Sequence, residues 1–231
     1  MATKKEEQNF DSLKSVENVL GKSEMFIEKY QKQILYVVGG IILIVLLILA
    51  FRNWYLVPRE EQAELKLSVC QQYFAVDSFR IALNGNGTGN CIGFRGVIDE
   101  YGLTRSSKLA NAYAGICYYH LGDYNAAINY LGKFDGKDSN IYPATIGMIG
   151  DCYVELGKTD EAVHYFLKAA KTADNEAISP IYLKKAGVAY EALKQYDKAI
   201  DAYQQIKDNY FKSQEAMDID RYIGRAQTLK K

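Results

Sequence analysis

Histidine, proline and tryptophan are scarce in this chain, and neither sign of charge prevails. The 231 residues include two histidines, three prolines and one tryptophan, and 28 Lys plus Arg balance 28 Asp plus Glu. With no basic excess, nothing is available to displace phosphate counterions, so nucleic acid is not expected as a partner. His120 and His164 leave little material for histidine catalysis or a multi-histidine metal site. The four cysteines, Cys70, Cys91, Cys117 and Cys152, form no Cys-x-x-Cys pair, which removes the usual zinc and dithiol motifs. The glycine-rich run 84–90 lacks the Gly-Lys-Ser/Thr ending of a P-loop and a strand before it. Asn86-Gly87-Thr88 is a formal glycosylation sequon, meaningful only in a eukaryotic secretory route. No cofactor, metal or catalytic constellation is implied, and a non-enzyme is expected. Three prolines beside 19 tyrosines point to long helices and not to a turn-rich β fold.

What is present begins with a long apolar run. Residues 34–51 read ILYVVGGIILIVLLILAF without one charge. As a helix they would span about 27 Å, close to the roughly 30 Å hydrocarbon core of a bilayer. Trp54 and Tyr55 follow and suit the headgroup level. The run carries no polar stripe of the kind a soluble surface helix shows. A cleaved signal peptide would start nearer the N-terminus and end in a small-x-small site, whereas 33 residues precede this run and Ala50-Phe51-Arg52 is no such site. A retained transmembrane helix over 34–55 is therefore expected, with lipid bilayer as its surroundings. Lys22, Lys29 and Lys32 just before it favour a cytoplasmic N-terminus with the following domain outside. Residues 1–33 read as a polar cytoplasmic tail, partly helical, with Leu13, Leu20, Ile27 and Ile34 at intervals of seven.

Beyond Pro58 the chain repeats itself. Gly115-Ile116-Cys117-Tyr118 recurs as Gly150-Asp151-Cys152-Tyr153 and as Gly187-Val188-Ala189-Tyr190, at offsets of 35 and 37 residues. Nine residues after each tyrosine stands an alanine: Ala127, Ala162 and Ala199. Leu131, Phe166 and Tyr203 follow in the same register. A period near 34 with this rhythm is that of tetratricopeptide helix pairs. The glycine and the alanine let paired helices approach, while the large residues fill the groove between pairs, so one core runs through the stack. Pro143 and Pro180 each stand seven residues before their glycine, a first-turn position where the missing N–H is harmless. Gly122-Asp123 and Gly157-Lys158 mark the turns, and Lys194-Gln195 replaces the glycine in the third copy. Tyr73 followed by Ala82 keeps the spacing in an earlier copy.

These readings give an all-α fold class, a single N-terminal transmembrane helix followed by a tetratricopeptide-repeat α-solenoid. A degenerate first repeat with its glycine-rich insertion is expected over 60–105, three repeats over 106–212, and a capping helix over 213–231. In such stacks the first helices line the concave face. By register its outward positions are Ile116, Tyr119 and His120, then Asp151, Val154 and Glu155, then Lys184, Val188 and Glu191. This mix lacks the Lys/Arg cluster that would clamp a terminal carboxylate, and fits a polar-aromatic groove for an extended segment or a partner helix. The cysteines read as small core residues. For Cys70 and Cys91 a disulfide stays open, since an extracytoplasmic domain can be oxidised.

The layout of short tail, single span and divergent repeats resembles the YfgM-like ancillary subunits of the bacterial Sec translocon. The segments 74–79, 82–85, 93–94 and 175–187 look like the form found in Bacteroidetes. The resemblance implies an inner-membrane protein with a periplasmic repeat domain and no catalytic residues. It also implies contact with the SecYEG translocon and with a PpiD-like membrane-anchored periplasmic chaperone. A tethered adaptor for envelope assembly or cell division, without translocon contact, is the alternative.

Overall fold

The computed structural model describes residues 29–33, 35–136 and 138–231. The amphipathic helix expected within the tail lies almost wholly outside them. Two compact units are present, Met1–Val57 and Pro58–Lys231.

In the first unit, residues 35–50 form helix α1, which passes into a π-helical stretch at Phe51–Leu56. The apolar side chains of α1 all face outward, Leu43 and Leu47 being 60% and 61% exposed. Trp54 is exposed as well. The apolar run lies in a helix, Lys29–Ala75, long and apolar enough to cross a membrane, and none of its apolar window is buried. The core helix of a soluble domain would bury one face; within this chain the apolar run buries none.

The second unit is built from helix pairs: α2 (Val57–Ala75), α3 (Phe79–Asn84), α4 (Gly93–Glu100), α5 (Arg105–His120), α6 (Tyr124–Leu131), α7 (Ile141–Glu155), α8 (Thr159–Ala173), α9 (Ser179–Ala192), α10 (Tyr196–Asn209) and α11 (Ile219–Lys230). No strand occurs among the described residues. The repeated tyrosine sets the turn that closes each pair. The carbonyls of Tyr73, Tyr118, Tyr153 and Tyr190 accept from the backbone N–H of Ser78, Asp123, Lys158 and Gln195 at 2.9, 2.9, 2.8 and 2.9 Å. The residue four after each tyrosine is left-handed: Asp77 (φ 56°), Gly122 (φ 82°), Gly157 (φ 70°) and Lys194 (φ 60°). Glycine fills two of these positions without a Cβ clash; aspartate and lysine adopt the same conformation against their preference.

Packing within the pairs follows from side-chain size. A Cβ added to Gly115 would meet the Leu131 side chain at 2.5 Å, and one on Gly150 would meet the Phe166 ring at 2.6 Å. The Tyr203 ring lies against Gly187 in the same way. Ala127, Ala162 and Ala199 are fully buried opposite them. Phe166, Tyr182, Tyr203 and Ile206 share one core with Ile219, Ile223 and Ala226 of α11. Pro180 occupies the first turn of α9, and Pro143 is the third residue of α7.

The first pair departs from this pattern. Its second half is two short helices, α3 and α4, separated by a loop in which Gly85, Gly87 and Gly89 all have positive φ. Ala63, Leu67 and Cys70 of α2 share a core with Ala82, Phe94, Val97 and Ala114. A polar strut joins α2 to α5. The Glu60 carboxylate accepts from the backbone N–H groups of Arg105 and Ser106 at 2.7 and 2.9 Å and from the Ser106 hydroxyl at 2.8 Å. It occupies the α5 N-terminus, where unsatisfied N–H groups favour an anion. Burial alone would raise the Glu60 carboxyl, but the hydrogen bonds from Ser106 and the Arg105 backbone outweigh it and hold its pKa below 4.5. Thr104 caps the same helix through the Ser107 N–H.

Candidate protein-interaction surface

First helices of successive pairs lie side by side and leave depressions between them. One, of 350 Å³, opens between α5 and α7 and is lined by Leu109, Tyr113, Ile116, Ile141, Thr145 and Met148 among others. A second, of 470 Å³, opens between α7 and α9 around Asp151, Val154, Ile181, Lys184, Lys185 and Val188. Three side chains at the second depression stand open, with Val154, Ile181 and Val188 being 44%, 38% and 46% exposed. Helix spacing explains the set: 181, 184, 185 and 188 fall on one face of α9.

Both lysines and Asp151 at the second depression are already paired, and Glu215 also lines it. The Lys185 ammonium contacts both Asp151 carboxylate oxygens, at 2.7 and 2.8 Å. Lys184 donates to Asp218 at 2.8 Å and sits 4.4 Å from the centre of the Tyr222 ring. Burial alone would lower the Lys184 pKa, but Asp218 and Tyr222 raise it above its usual value. Tyr182 packs behind this depression, stacked with Phe166 at 6.4 Å and donating to the Ala144 carbonyl. Burial, with the Asp151 charge nearby, pushes its phenol up to about 12. Bound this way, the two lysines are not free to clamp a terminal carboxylate together, and the exposed side chains Val154, Ile181 and Val188 are apolar.

The nine positions read from the register separate into groups. Asp151, Val154, Lys184 and Val188 meet at the second depression, and Ile116 lines the first. Tyr119, His120, Glu155 and Glu191 are not among the lining residues of either. The His120 ring stacks on Phe79 at 4.3 Å with its edge toward Tyr119. Tyr124 donates to Glu155 at 3.4 Å. The Tyr119 phenol is raised, first by burial and then by the charges of Asp151 and Glu155. Glu191 turns toward the neighbouring helices, where it accepts from the Tyr203 hydroxyl at 2.7 Å and from two Arg225 nitrogens at 3.0 Å. Its side chain is only 11% exposed, so it ties α9 to α10 and α11.

Leu109, Tyr113, Ile141, Thr145 and Met148 at the first depression, and Ile181 and Lys185 at the second, are lining residues that the register did not single out. The available signal was a spacing of three: Tyr113, Met148, Ile181 and Lys185 precede Ile116, Asp151, Lys184 and Val188 by one helical turn. Among the described residues, no group of three His, Cys, Asp or Glu is placed to hold a metal ion.

Comparison with known proteins agrees with this geometry. Residues 148–211 match the tetratricopeptide repeat family. Over 92 residues the chain is 33% identical to the TPR repeat-containing protein MJ1428 of Methanocaldococcus jannaschii, which covers 40% of this chain and 16% of that protein. The chain thus spans about a sixth of the length of that curated relative. Its structure resembles the kinesin light chain TPR-like repeats from Podosopora anserina, with a TM-score of 0.54 and 14% identity over 72% of this chain and 87% of that one. It also resembles the MamA protein, with a TM-score of 0.52 and 18% identity over 73% of this chain and 88% of that one. The repeat unit therefore has the tetratricopeptide solenoid fold, a scaffold for protein–protein interaction.

Proposed function

We propose that this chain is a non-enzymatic, membrane-anchored scaffold that serves as an accessory subunit of the SecYEG translocation machinery. In this reading α1 crosses the bacterial inner membrane, the N-terminus is cytoplasmic and the repeat unit is periplasmic. The depressions between first helices take apolar side chains from a PpiD-like chaperone or from an emerging chain. The observation that carries the reading is an exposed, membrane-length apolar helix in the same chain as a repeat unit whose open first-helix surface is apolar. The layout resemblance supports the translocon as the neighbour.

Affinity purification of the full chain in mild detergent tests it. SecYEG subunits and a membrane-anchored chaperone are expected in the eluate. Envelope-assembly or division proteins without any Sec subunit would overturn the reading in favour of a tethered adaptor. Val188→Asp places a charge where an apolar side chain is expected to dock, and is predicted to weaken capture at least tenfold. Because Val188 is 46% exposed, the melting temperature should stay unchanged.

A further inference from the structure

Two thiols meet in the core of the first pair. Cys70 stands on α2 and Cys91 ends the glycine-rich loop; both are buried and free, with their Sγ atoms 3.1 Å apart. The two sides of this contact differ in stiffness. Cys70 is in the last two turns of a 19-residue helix. Cys91 lies outside any helix, between α3 and α4, after three glycines with positive φ. A disulfide requires about 2.05 Å between sulfurs, so closing the gap takes about 1 Å, which a glycine-rich loop can supply while the helices stay in place. Cys117, the third thiol of this core, is on α5, and Cys152 belongs to a separate cluster. With no metal-holding group among the described residues, the chemistry open to the pair is that of two thiols.

We propose that Cys70 and Cys91 form a redox modification site, whose disulfide fastens the loop 85–92 to α2 and closes the first pair. The oxidant is a disulfide-bearing thiol carrier, either oxidised glutathione or a dithiol oxidoreductase in its disulfide form. One cysteine thiolate attacks the carrier's disulfide, forming a mixed disulfide and releasing one carrier thiolate. The second cysteine, as thiolate, then attacks the protein sulfur of that mixed disulfide. The Cys70–Cys91 bond forms and the second carrier thiolate leaves. Two electrons pass from the protein thiols to the carrier, whose released thiolates take up the two protons. Burial, reinforced by Cys91, pushes the Cys70 thiol up to about 12. Exchange therefore proceeds when the loop opens or while the chain folds, and the finished bond is shielded from reductant.

The test uses the full chain in detergent, equilibrated in glutathione buffers of graded oxidised-to-reduced ratio, acid-quenched, denatured and alkylated with N-ethylmaleimide before peptide mapping. The expected product links the peptides holding Cys70 and Cys91, about 2 Da below their summed thiol mass, with Cys117 and Cys152 alkylated. The oxidised form should melt roughly 5 °C or more above the reduced form, and Cys91→Ala should abolish that difference. Should Cys91→Ala fail to fold, Cys70→Ala tests the same loss, while Cys117→Ala is expected to keep both the 70–91 link and the difference. Four alkylated thiols at the most oxidising ratio in a natively helical protein would overturn the proposal, as would a link through Cys117. The readout needs no partner, so its failure is distinct from failure to recover Sec subunits.

Discussion

Gly187 and Gly224 stand 37 residues apart, at matching places on α9 and α11, yet their surroundings are opposite. The Tyr203 ring closes on Gly187, whereas nothing lies within 4 Å of a Cβ built on Gly224. The difference shows α11 packed like a first helix, with no second helix against Gly224 among the described residues. Its place in the stack is kept by Arg225 reaching back 34 residues to Glu191, as Lys185 reaches back 34 residues to Asp151. Ile219, Ile223 and Ala226 complete the core, while Arg221, Gly224, Arg225 and Thr228 are exposed. A polar outer face of this kind is what the terminal repeats of soluble solenoids carry. Glycine at 187 is thus demanded by packing; at 224 it only lowers helix propensity.

The comparison breaks most easily at its crowded member. Gly187→Ala should destabilise the repeat unit by about 1–3 kcal/mol through overpacking against Tyr203, measured by denaturant unfolding. Ala162→Leu, at a fully buried site, should cost a similar 1–3 kcal/mol, roughly, by the same mechanism.

A test at the other end of the stack comes next in size. Glu60→Ala removes three hydrogen bonds at the start of α5 and should cost about 1–2 kcal/mol. The pH dependence follows from the sign of the shift. The folded pKa of Glu60 is held below the usual 4.5, so its contribution is whole above that value. It is lost as the pH falls through the folded pKa. Acid titration of stability should therefore be shallower in Glu60→Ala than in the wild type below about pH 4.5.

The smallest effects carry the opposite sign. Gly224→Ala should stabilise by about 0.5–1 kcal/mol, because the site is open and alanine is the better helix former. Lys194→Gly should gain up to about 1 kcal/mol by relieving a left-handed lysine, matching the turn at Gly157. A loss at Gly224→Ala equal to that at Gly187→Ala would mean that α11 has a partner helix.

The repeat rhythm was legible because it is local. Glycine, tyrosine and alanine at fixed spacing dictate where a helix pair turns and how closely it packs; Leu131, Phe166 and Tyr203, expected in the groove between pairs, close instead on Gly115, Gly150 and Gly187 of their own pair. The concave register was legible only in part. Helix periodicity assigns a face but not the twist between successive pairs, and that twist brings Lys185 onto Asp151 and swings Glu191 toward Arg225. Contacts across long separations left no local signature. Glu60 reaches Ser106 46 residues away, and Cys70 meets Cys91 across a loop whose path no period constrains.

Photocrosslinking in cells tests the working surface most directly. A photoreactive residue is placed at Ile116 or Val188 on the first-helix side, and at the exposed Lys168 on α8 as its counterpart. Adducts to translocon or chaperone subunits from Ile116 and Val188, with none from Lys168, are the predicted result. Adducts from Lys168 alone would contradict the account.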